Sequence, residues 1–151
     1  MNRKQIEKFI EKVYPDQSVG IEYYRDSSSR GMVARCDVHN RVIKFNLYFM
    51  QKKDYRMYDN CWIKCTILHE LGHIVVGICK QKSKEEFLAH KWGIETADKY
   101  NLQHVKREMV DNLREWGEEK WNSTIYPRRY ILAYKLALKD KKWAKKHGLL
   151  V

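Results

Sequence analysis

A chain of 151 residues is the size of one domain built on one hydrophobic core. Its 44% hydrophobic and 13% aromatic content exclude a wholly disordered chain, and no window approaches the roughly 18 consecutive apolar residues of a membrane span. Thirty Lys and Arg against nineteen Asp and Glu leave a formal charge of +11, which favours anionic partners without naming one.

In chain order, Ile6, Phe9, Ile10 and Val13 sit at helical spacing and predict a first helix from about Arg3 to Val13, stopped by Pro15-Asp16. Asp26 to Gly31 has loop composition. From Met32 to Tyr48, β-branched and aromatic residues around His39-Asn40 predict a β-hairpin; Ile43, Phe45 and Leu47 should differ in burial from Val42, Lys44 and Asn46, and Tyr23 and Tyr24 fit an earlier strand. Asp59 or Asn60 can cap a helix from Cys61 to about Cys79, with Ile63, Ile67, Leu71, Ile74, Val75 and Ile78 on its core face and slight weakening at Gly72 and Gly77. Ser83 can cap a second long helix, with Glu86 completing a capping box, that reaches about Tyr100. Asn101 breaks it before a pattern from Leu102 to Trp121, and Pro127 opens a last helix to Lys146, ended by Gly148.

His69-Glu70-Leu71-Gly72-His73 is an H-E-x-x-H sequence, and helical geometry gives it meaning. Residues four apart project from one face, so His69 and His73 can bind one Zn²⁺ together, while Glu70 can reach a water and act as general base. The pattern arises by chance in roughly two chains of a hundred with this composition. Here it lies in a strongly apolar helix, where two histidines and a glutamate are costly to bury without partners, and a metal supplies one. Catalytic zinc usually has three protein ligands. Glu86 and His90, four apart on the next helix, are the candidate source of the third; Glu85 projects about 100° away from Glu86.

The motif, the glutamate-bearing helix that follows it with Ala89 and Trp92, and the preceding strand Val42 to Asn46 resemble the ImmA/IrrE-type zinc metallopeptidases. The resemblance covers roughly residues 32–100 and implies an α+β fold with a zincin-like core there, followed by a helical carboxyl-terminal extension over about 101–151, all in one domain. It implies that Glu86 is the third metal ligand beside His69 and His73, with His90 standing where the family places a second-shell Asp or Asn. It also implies that Val42 to Asn46 is an edge strand beside the site; since extended peptides pair with edge strands, Val42 to Leu47 is the candidate substrate groove. Members are often encoded by phages and mobile elements, and some act on a transcriptional repressor. A protein substrate, such as a repressor, is therefore the expected partner, and peptide-bond hydrolysis the expected reaction, with a Tyr, His or Arg stabilising the oxyanion. The alternative is a non-proteolytic regulatory module whose basic carboxyl-terminal helices bind nucleic acid or a repressor.

The remaining features have plainer readings. Lys139, Lys141, Lys142, Lys145 and Lys146 read as a solvated face, so nucleic acid is not the favoured partner. Cys36, Cys61, Cys65 and Cys79 contain no Cys-x-x-Cys pair and read as free thiols, and the Cys61, Cys65, His69 stripe as core packing. The charged amino terminus lacks the apolar stretch of a signal peptide, so a cytoplasmic location with no membrane contact is expected. Tyr126, Tyr130 and Tyr134 read as packing against Trp116 or Trp121, and His39, His104 and His147 as surface residues.

Overall fold

In the computed structural model, which describes residues 1–15, 18–28, 32–50, 60–118 and 127–151, the first element is helix α1, Arg3–Val13. Asn2 and Gln5 start it with a reciprocal capping box that satisfies two otherwise orphaned amides. Ile6, Phe9, Ile10 and Val13 are all buried, as their spacing predicts. Asp16, residues 29–31 of the polar loop, Asp59, Trp121 and Tyr126 lie outside the described residues.

Strands β1 (Gly20–Tyr24), β2 (Ala34–Asp37) and β3 (Val42–Asn46) follow, and then a turn of helix, α2 (Leu47–Met50). β2 and β3 form the expected antiparallel hairpin, and β1 joins the opposite side of β3 in parallel, giving the order β1-β3-β2. This corrects one expectation. Val42–Asn46 is the central strand, because β1 pairs along its other side and takes up the backbone groups that an edge strand would leave open; the edge strand of the hairpin is β2. Asn46 also breaks the expected alternation by being buried. Its Oδ1 accepts from the Asp26 and Tyr48 amides and its Nδ2 donates to the Asp26 carbonyl, so the polar atoms are satisfied inside.

The helices α3 (Asn60–Val76), α4 (Lys82–Lys99), α5 (Gln103–Glu115), α6 (Arg128–Lys139) and α7 (Lys141–Lys146) complete an α+β architecture of seven helices and a small mixed sheet among the described residues. α3 lies in the middle, against β2 on one side and α4 and α5 on the other. It is accordingly apolar around much of its circumference, burying Ile63, Ile67, Leu68, Leu71 and Ile74. Its first residue, Asn60, accepts from the Met1 ammonium. Gly77, at φ +78°, ends the helix in the left-handed conformation that glycine tolerates, so it terminates α3 where a weakened interior was expected. Ile78 (71% exposed) consequently leaves the core face on which an unbroken helix would have placed it, whereas Val75 (39% exposed), still within α3, simply faces away from the core, against expectation.

α4 starts at Lys82 after Gln81, with no side-chain cap. The anticipated Ser83–Glu86 capping box is absent because the Glu86 carboxylate turns inward to histidines of α3. The two helices approach closely at Gly72, where an added Cβ would stand 2.1 Å from the Ala89 carbonyl oxygen. Helix propensity alone favours alanine there by about 1 kcal/mol, but backbone overlap dominates. Gly72→Ala is expected to lower stability by about 1–3 kcal/mol, read as a depressed Tm; a raised Tm would mean that α3 and α4 separate at no cost.

Asn101, at φ +57°, makes the expected break before α5, which buries Val105, Met109, Val110 and Leu113. The expected single last helix is two, divided at Asp140, whose side chain accepts from the Trp143 amide and caps α7. Gly148 follows at φ +74°, as a terminator should. His147 is 6% exposed and packs against Trp143, 4.7 Å between ring centres, so it is not a surface residue: as the cap of α7 it is folded onto the aromatic ring one turn before it. The four cysteines are free thiols. No helix among the described residues is long and apolar enough to cross a membrane.

Candidate metal centre

Helical spacing on α3 sets His69 and His73 one turn apart, and the close α3–α4 contact brings Glu86 across from them. The result is a triangle of donor atoms: His69 Nε2 to His73 Nε2 at 3.1 Å, His69 Nε2 to Glu86 Oε2 at 3.2 Å, and His73 Nε2 to Glu86 Oε2 at 3.3 Å. Donors about 2.05 Å from a shared tetrahedral centre lie about 3.3 Å apart, so the triangle has the size that a zinc-like ion requires. These three residues can hold a metal ion.

The surrounding hydrogen bonds assign which ring nitrogens carry protons. His90, 3% exposed, directs Nε2 at the Met109 carbonyl oxygen, 2.7 Å away, which can only accept. Burial, and then the neighbouring His69, lowers the His90 pKa to about 3, so the ring is neutral and its Nδ1 is an acceptor. That atom faces His69 Nδ1 at 3.1 Å, which must therefore be the N–H, leaving a lone pair on His69 Nε2. His73 Nδ1 faces Glu85 Oε1 at 3.4 Å, and the carboxylate selects the same tautomer there. Glu85 is itself fixed by the Cys79 amide at 3.0 Å and by Lys82.

Three lone pairs thus converge in a buried space. Glu86 Oε2 is buried without a hydrogen-bond partner, although its other oxygen pairs with Arg129 Nε at 3.2 Å. The electrostatics express the same demand for positive charge. Burial opposes ionisation of both Glu86 and His73, yet the two histidines hold the carboxyl well below its usual range, and the carboxylates raise the His73 pKa. A divalent cation meets that demand.

Glu70 lies beside the triangle, in a cleft of about 710 Å³ that also takes in β2 and the start of α6. The Cys36 thiol of β2 lines the same cleft, and burial first, then the negative charge of Glu70, pushes the thiol up. The strand along this cleft is β2, whose outer edge has no strand partner among the described residues; the expected edge at Val42–Asn46 is therefore relocated by one strand.

All five residues singled out by the sequence meet here: His69, His73 and Glu86 as the donor triangle, Glu70 in the cleft, and His90 behind His69. Glu85, Arg129 and Tyr130 were not legible as site residues. The Tyr130 ring packs 4.8 Å from Trp116, as its spacing predicts, but it also lines the cleft, with the Arg129 guanidinium 5.0 Å from the ring centre. Trp116 walls the site from behind, 4.6 Å from the His90 ring. The expected Cys61, Cys65, His69 stripe divides: both thiols are half-buried against the core, and His69 alone joins the triangle. Comparison of the chain with protein-family models, curated proteins and solved structures finds no match.

Proposed function

We propose that this chain is a zinc-dependent metallopeptidase of the ImmA/IrrE type, with a zincin-like core, that hydrolyses a peptide bond in a protein substrate such as a transcriptional repressor. The observation that carries this reading is the triangle of two imidazole lone pairs and an orphaned, buried Glu86 oxygen, open to a cleft containing Glu70. Two histidines and a glutamate are a donor set of catalytic zinc. Zinc held there supplies Lewis acidity, lowering the pKa of water to about 7 and polarising a carbonyl.

The protein's own groups do the rest. His69, His73 and Glu86 hold the ion, while His90 and Glu85 fix the imidazole tautomers from behind. Glu70 takes the proton of the attacking water and returns it to the leaving amine. The outer edge of β2 offers backbone groups to an extended peptide, which lays the scissile bond across the cleft. Tyr130 lines the same cleft, and burial first, then the Glu86 carboxylate, raises its pKa, so the phenol keeps its proton; directed at the oxyanion, it donates to the tetrahedral species.

Metal analysis of the purified chain, with peptidase assays on a fluorogenic peptide library before and after chelation, tests the reading. About one zinc per chain and chelator-sensitive cleavage is the expected result; metal-free protein, or cleavage indifferent to chelator, rejects it. Tyr130→Phe is expected to reduce kcat by about 10²-fold with metal content and KM little changed, whereas an unaltered kcat removes the hydroxyl from the chemistry.

A further inference from the structure

A second cavity, of about 570 Å³, lies between the first turn of α4 and the exposed face of α6. Arg128, Leu132, Lys135, Leu136 and Lys139 line it from α6 at helical spacing, and Lys82 and Arg129 close the end nearest the metal centre. Among the described residues no carboxylate lines it. Lys82 and Arg129 are balanced by Glu85 and Glu86, but Arg128, Lys135 and Lys139 are exposed and make no ion pair among the described residues. The α4 amino terminus lacks a side-chain cap, so its positive end adds to the same field. Between the cations, Leu132 is 37% exposed and Leu136 is half-buried, which gives the groove an apolar floor.

We propose that this groove is a docking site for an acidic, leucine-bearing segment of the protein substrate. The role of substrate rests on the peptidase reading; the binding chemistry does not. Charge complementarity selects the occupant: carboxylates answer Arg128, Lys135 and Lys139, and apolar side chains cover Leu132 and Leu136. The apolar floor favours a peptide over nucleic acid, whose backbone has only phosphates and sugars to offer it. From Arg128 to Lys139 the face extends about 16 Å, the reach of about five extended residues. Lys82 and Arg129 line both this groove and the cleft holding the donor triangle, so a segment seated here passes directly into the cleft. Recognition is thereby separated from chemistry: an acidic stretch is gripped on α6 while the bond to be cut lies against β2.

The test uses the zinc-loaded full chain and a fluorescein-labelled twelve-residue peptide of alternating glutamate and leucine pairs, read by fluorescence anisotropy. Binding should weaken at least about tenfold in the Lys135→Glu/Lys139→Glu double variant and by less in Lys135→Gln/Lys139→Gln, and should fall as salt screens the charges. Circular dichroism of each variant shows that the fold is kept. Cleavage of a short neutral peptide by the double variant should match that of the unaltered chain. His69→Ala should still bind the acidic peptide; binding by the unaltered zinc-loaded chain without hydrolysis of any peptide would leave the groove standing and dismiss the peptidase reading alone. Failure of the peptide to bind, binding indifferent to charge reversal, or a clear preference for single-stranded DNA of equal charge overturns the proposal.

Discussion

Glu86→Ala is expected to reduce zinc from about one ion per chain to a trace, as His69→Ala and His73→Ala should. The triangle has no spare donor: His90 Nε2 is committed to Met109 and its Nδ1 to His69, while Glu85 lies against the outer nitrogen of His73. Loss of Glu86 Oε2 leaves two imidazoles, which bind a divalent ion far more weakly than three protein ligands, and leaves Arg129 without the carboxylate it pairs with. His90→Ala removes no donor but frees the His69 ring to turn, so affinity should fall by about 10–100-fold. Mass-spectrometric metal counts and competition with a chelator of known affinity separate the two outcomes. If His90→Ala loses the metal while Glu86→Ala keeps it at full occupancy, the ligand assignment is wrong.

Glu70→Gln should leave the metal in place and reduce hydrolysis by about 10²–10⁴-fold, the usual contribution of a positioned proton acceptor. The amide keeps the volume of the carboxylate, so the cleft should retain its shape. It cannot take a proton from water at neutral pH. The loss should fall on kcat, with KM for peptide substrates little changed, because on the proposed reading a peptide pairs with β2, away from the carboxylate. Full activity in this variant would remove Glu70 from the reaction.

The placement of these groups was legible in the sequence wherever the governing geometry is local. His69 and His73 share a face because they are four residues apart on one helix, and α1 reads correctly because its apolar spacing and cap lie within a dozen residues. What failed was decided between elements. Whether Val42–Asn46 lies at the edge or the centre depends on where β1 docks, which no local pattern records. Arg129 and Tyr130 reach the site only because α6 packs on α4, and their spacing alone describes an ordinary amphipathic helix. Two misses did carry a local signal. Asp140 is a good capping residue inside the supposed last helix, and Gly77 is a better terminator than helix interior, so its left-handed turn could have exposed Ile78 in advance.

The turn at Gly77 also has a kinetic consequence. It folds α4 back on α3 within a few residues, so the longest link in the histidine cluster, from His69 to His90, closes a segment of only 21 residues. Loop closure of that length is entropically cheap, and contacts between neighbouring helices form early in folding. The remainder of the cleft is of the opposite kind, since β2 and α6 arrive from distant parts of the chain. The donor triangle thus draws on two helices that are neighbours in the chain, whereas the walls of the cleft around it require the whole fold.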